Sequence, residues 1–173
     1  MDRREFVETC ALGGGSLAAA LTGTAWAADA PPRAYGRVQL LDELGQPLKA
    51  STLKPQTNYV FHYPFEATPC FLLNLGKPTG QNVQLKTENG GTYQWPGGVG
   101  PNNTIVGYSA ICAHRMSYPT RQISFISYRD RSTASPSTRP EMIHCCSEHS
   151  EYDPASGAKV ISGPAPQPLS AIL

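Results

Sequence analysis

Charge is scarce in this chain of 173 residues. Lys, Arg, Asp and Glu together make up 16% of it, and the formal net charge is +1. No basic run occurs, which excludes the electrostatic footprint of a nucleic-acid-binding surface. Sustained helical periodicity is missing beyond residue 28, so a helical bundle is excluded as well. There is neither a Ser–His–Asp pattern nor a phosphate-cradling glycine loop ahead of a helix. Histidine is sparse too, at four residues, with five cysteines beside it. Any metal or redox chemistry must draw on those few.

Turn residues are abundant instead: 16 Gly and 16 Pro point to short elements separated by loops. Runs rich in β-branched and aromatic residues predict strands at 38–41, 59–63, 71–75, 105–111, 122–128, 142–144 and 158–161. Asn89-Gly90-Gly91, Pro96-Gly97-Gly98 and Gly163-Pro164 punctuate them. The expected fold is all-β, a small antiparallel sandwich or barrel over residues 28–173.

Two short motifs carry the chemistry, Cys112-Ala113-His114 and Cys146-Ser147-Glu148-His149, with residues 115–145 between them. Each hook offers one sulfur and one nitrogen. A [2Fe–2S] cluster with two thiolates on one iron and two imidazoles on the other needs that set. Neutral imidazoles leave the cluster less negative and place its potential at roughly −150 to +300 mV. Zinc also accepts two Cys and two His, but structural zinc sites usually pair Cys with Cys and His with His at each end. The Cys-x-x-His spacing selects Cys146 and His149. Counted back from Tyr152-Asp153 without a gap, Cys145 becomes the ligand and Glu148 takes the histidine's place. Of the remaining histidines, His62 lies in an apolar run and reads as structural, and His144 fits neither hook.

With these motifs on the page, residues 111–114 and 146–169 resemble a Rieske [2Fe–2S] protein, and Gly163-Pro164-Ala165-Pro166 is similar to that family's proline loop over the cluster. Upstream, Phe61-His62-Tyr63-Pro64, Pro69-Cys70, Gly97–Pro101 and Ile105–Ser109 resemble the small subunit of periplasmic arsenite oxidase. The likeness covers most of residues 55–169. It implies a Rieske-type β sandwich or barrel with a cluster-binding subdomain of loops, carrying one cluster on Cys112, His114, Cys146 and His149. Ser150 and Tyr152 match hydroxyls that raise the potential in high-potential members. The chain departs from the pattern in its long 115–145 segment and in lacking a glycine after the second histidine. Ser117 and Glu148 stand near the places where the family often carries a disulfide. The resemblance implies an electron-transfer subunit rather than an enzyme on its own. Its partners would be a molybdopterin large subunit and a c-type cytochrome or similar acceptor. The alternative is the Rieske subunit of a quinol–cytochrome c reductase, partnered by a cytochrome b. From a different class, a non-redox module with zinc or no metal stays open.

The first 27 residues read as a leader. Arg3-Arg4 followed by Glu5-Phe6-Val7 resembles a Tat export signal, and Ala25-Trp26-Ala27 offers a small-x-small cleavage site. The apolar stretch 10–28 is just long enough to span a bilayer, so a retained inner-membrane anchor stands beside a cleaved signal. Either way the expected location is the periplasm. An oxidising compartment permits a Cys70–Cys145 disulfide, with a buried free Cys70 as the alternative. The polar segment 129–140 reads as a solvated spacer, or as a docking loop offering Arg129, Arg131 and Arg139 to an acidic partner.

Overall fold

The computed structural model describes residues 33–114 and 125–173. The leader with its arginine pair and cleavage site, Ser117, and the first residues of the expected 122–128 strand lie outside the described residues.

Among the described residues ten strands follow in order: β1 (Tyr59–His62), β2 (Pro69–Asn74), β3 (Val83–Lys86), β4 (Thr92–Trp95), β5 (Ile105–Ser109), β6 (Ile126–Arg129), β7 (Met142–Cys145), β8 (Glu151–Asp153), β9 (Lys159–Ser162) and β10 (Ala171–Ile172). They build a sheet β1-β2-β5-β10, a hairpin β3-β4 and a second sheet β6-β7-β8-β9. Every strand pairing is antiparallel, so the protein is all-β as expected.

The strands form where side chains alternate or stay apolar. In the first sheet β2 is central and its Cys70, Phe71 and Leu73 are buried, whereas β1 at the edge alternates half-buried and exposed. The β3–β4 hairpin turns at Asn89-Gly90, where Gly90 takes φ +83 and donates to Thr87 O at 3.0 Å. That left-handed conformation is one glycine adopts without strain. Four strands were not expected from the sequence: β3, β4, β8 and β10. Each is short, and polar residues such as Gln84, Lys86 and Glu151 dilute its apolar signal. The expected strand at 38–41 is absent. Val38 and Leu41 are exposed, and a lone bridge from Leu41 to Pro47 is the pairing found there. Without a neighbouring strand the local propensity had nothing to pair with.

The second sheet is inserted in sequence between β5 and β10. The expected subdomain of loops is therefore a four-stranded sheet that presents loops at its end. The two sheets share one apolar core, in which Phe71, Leu73, Trp95 and Tyr108 meet Ile126, Ile143, Cys145 and Tyr152. Tyr108 stitches them together by donating its hydroxyl to Pro154 O at 2.8 Å. Asn58 does the same at β6, where its amide bonds both Tyr128 O (3.0 Å) and Tyr128 N (2.9 Å).

Cys70 is wholly buried and its thiol donates to Tyr63 O at 3.3 Å. It is a free thiol, as is Cys145, so the Cys70–Cys145 disulfide does not form. His62 is exposed at the end of β1 rather than packed.

Segment 129–140 is a run of turns. Asp130 accepts from the N–H and hydroxyl groups of Ser132 and Thr133 at 2.8 Å, and the Ser132 and Thr133 hydroxyls hold its carboxyl down to about 2. The three arginines considered for docking each have a neighbour within the chain, and Arg131 and Arg139 stay largely exposed. Arg131 meets Glu141 at 3.3 Å, Arg139 meets Glu151 at 3.6 Å, and Arg129 donates to Cys146 Sγ at 3.6 Å.

Candidate metal centre

Three loops converge at the end of the second sheet. The first leaves β5, anchored by Ala110 N–H to Pro69 O at 2.9 Å, and carries Cys112 and His114. The second follows β7 and reverses at once, so that Cys145 N–H donates to Ser150 O at 2.9 Å. His149 sits in that reversal with φ +57. The third begins at Gly163 (φ +91), and its Ala165 N–H donates to Ser150 Oγ at 3.2 Å.

Strand alternation decides which cysteine enters the site. Successive side chains of a strand point to opposite faces. On β7, Ile143 and Cys145 are wholly buried in the shared core. Cys146 takes the other face: it is exposed, its N–H is held by Phe125 O and its sulfur by Arg129. Cys145 meets Cys112, whose thiol is in hydrogen-bond contact with it. Burial pushes the Cys145 thiol up to about 11, and contact with Cys112 adds to the shift. The backbone N–H groups of Glu148 and Ser147 at the sulfur act against it. A sulfur held by two amides and pressed against a second thiol in the core is arranged to carry charge once a metal takes the proton's place.

The histidines divide in the same way. Among the described residues, His114 Nδ1 is buried without a hydrogen-bond partner. The group facing it is the Glu148 carboxylate, with Oε2 at 3.7 Å. His149 is exposed and lines a surface groove of about 540 Å³ with Arg139, His144 and Ser162. Of the four ligands expected from the sequence, Cys112 is buried against Cys145 and His114 faces Glu148, while Cys146 and His149 are exposed. The sequence signal for this arrangement was the ungapped count back from Tyr152-Asp153.

Tyr152 and Ser150 are both wholly buried between these loops. The Tyr152 hydroxyl is 3.3 Å from Cys112 Sγ. The Ala113 N–H donates to the same oxygen at 3.3 Å, and toward a deprotonated Cys112 sulfur the hydroxyl would be the donor. Burial, with Cys112 beside it, drives this phenol well above its ordinary range, so it stays protonated and able to donate. Ser150 Oγ accepts from Ala165 and keeps its own proton to donate.

His144, which fits neither hook, belongs to the outer face. Its Nε2 lies 3.0 Å from Glu151, opposite it across the β7–β8 ladder. Glu151 also accepts from Arg139 N–H (3.1 Å) and Ser162 Oγ (2.8 Å). Burial opposes the charge, but these donors, with His144 and Arg139 beside them, hold the carboxyl below its usual range. A depressed folded value contributes stability that is present at neutral pH and lost as pH falls through the carboxylate range. Glu151→Ala should therefore cost about 1.5–3 kcal/mol at pH 7, the size of a hydrogen bond to a charged group. The loss should shrink near pH 3. Urea titrations at the two pH values measure it, and an equal loss at both would exclude the charge as its cause.

No family model matches the chain. Among solved structures it is similar to the soluble domain of the Rieske protein II (soxF) from Sulfolobus acidocaldarius, with 29% identity and a TM-score of 0.44. The match covers 67% of this chain and 60% of that one.

Proposed function

We propose that this chain is a one-electron carrier of the Rieske type, with a [2Fe–2S] cluster seated between the 112–114 and 145–148 loops. The observation that carries this reading is the meeting of two buried thiols, one facing a tyrosine hydroxyl and the other two backbone amides, beside an imidazole nitrogen that has no hydrogen bond among the described residues. Those donors fit the group: Cys112 and Cys145 would hold one iron and His114 Nδ1 the other. Bound there, the cluster would supply one-electron transfer. The protein's part is to exclude water with Ile143, Leu169 and Ala165, to orient the sulfurs, and to set the potential with hydrogen bonds to them.

The finer reading is that the carrier serves an arsenite-oxidase-like complex, passing electrons from a molybdopterin subunit to a c-type cytochrome. It rests on the resemblance of residues 61–70 and 97–109. Periplasmic export by Tat, with or without a retained anchor, rests on Arg3-Arg4 and Ala25-Trp26-Ala27. The whole-chain test is chemical analysis. Purified protein should contain two irons and two sulfides, absorb visible light when oxidised, and give a low average g-value in electron paramagnetic resonance (EPR) when reduced. Stoichiometric zinc without iron would overturn the reading.

Tyr152→Phe tests the tuning role. A hydrogen bond to a charged group contributes roughly 1.5–3 kcal/mol, and the difference between redox states is about half of that. At about 59 mV per tenfold change for one electron, the midpoint should fall on the order of 30–65 mV with iron retained. Voltammetry showing parent and variant within a few millivolts would mean that the hydroxyl does not act on the sulfur.

A further inference from the structure

We infer that the fourth donor of this centre is the carboxylate of Glu148, so that the outer iron is held by one imidazole and one carboxylate. The inference rests on the cluster reading above and deepens it. Glu148 follows Cys145 by three residues, the Cys-x-x spacing that places a second donor in the same loop. Its Oε2 lies 3.7 Å from His114 Nδ1, too long for a hydrogen bond but a span that an ion between two donors would occupy. An oxygen donor of this kind is an ordinary iron ligand.

His149 cannot take the position without undoing the loop. It occupies the left-handed region at φ +57, on the surface, facing the groove beneath residues 136–139. Turning it inward requires a one-residue slip of the strand, and a slip sends every side chain to the opposite face. The register is held from both sides. Ile143 pairs with Tyr152, Cys145 N–H bonds Ser150 O, and Ser150 Oγ holds Ala165. Tyr152, in turn, reaches Cys112. A slip would break all four links and drive Cys145 out of the core.

The consequence is one more negative charge on the centre than two imidazoles would give. Net charge sets the potential of such clusters, so this one is harder to reduce than a two-histidine cluster in the same pocket. The test uses the full-length protein with its cluster. Pulsed EPR of the reduced state should count one coordinated imidazole nitrogen. Glu148→His should raise the count to two and favour reduction at least tenfold, an upward shift of about 59 mV. His149→Gly should leave count and midpoint unchanged, since glycine suits the backbone there. Two nitrogens in the parent, one of them lost in His149→Gly, would overturn the assignment while leaving the cluster reading intact. A parent without iron would overturn both.

Discussion

Cys145→Ser should abolish the proposed iron–sulfur centre, whereas Cys146→Ser should leave it in place. The two residues are neighbours, and chemistry alone does not separate them. Cys145 is wholly buried, touches the Cys112 thiol and receives the Ser147 and Glu148 amides; Cys146 faces solvent and Arg129. Serine offers iron a poor ligand where thiolate is needed, so loss of the inner sulfur should be all or none in iron content and visible absorption. Loss of the outer sulfur removes one weak contact from Arg129 and should change stability by no more than about 0.5 kcal/mol. The reverse pattern would show that the cluster uses the Cys-x-x-His spacing, and Glu148 would lose its role with Cys145.

Gly163→Ala should destabilise the fold by about 2–5 kcal/mol, combining 1–3 for overpacking with 1–2 for a side chain in the left-handed region. A Cβ at this position would lie 2.5 Å from Ser150 Cα and 2.7 Å from His149 O, and φ is +91. Backbone atoms are in the way, so no rotamer change relieves the clash. The 163–166 segment must lift, breaking the Ala165–Ser150 hydrogen bond and opening the end of the site. Gly36→Ala is the control: nothing lies within 4 Å of its Cβ position, and it should be neutral. Denaturant midpoints for the pair check this. A Gly163→Ala protein as stable as Gly36→Ala would mean that the third loop does not press on the second.

Much of the fold was legible from local pattern. Runs such as Tyr59-Val60-Phe61-His62 and Ile105-Val106-Gly107-Tyr108-Ser109 announced strands because branched and aromatic residues suit a pleated surface. Glu151 hid β8, since a charged residue in a three-residue strand reads as a turn. It is tolerated there because His144, Arg139 and Ser162 surround it, and those partners come from β7, β9 and the segment before β7. At the site, Cys112, His114, Ser150 and Tyr152 stood out through residue type and spacing.

By itself the sequence determined that this protein is a turn-rich all-β chain, with two short motifs, 112–114 and 145–149, that each join thiol to imidazole. Residue type sets strand propensity and donor chemistry, and both are local properties. Only the tertiary structure decided that Cys145 rather than Cys146 enters the core, and that Glu148 rather than His149 faces His114. Two adjacent cysteines have the same chemistry. What distinguishes them is the face of β7 each occupies, and that face is set by pairing with β6 and β8 and by the grip of Tyr152, Ser150 and Gly163 on the loop. A side-chain period of two turns one residue of register into inside or outside.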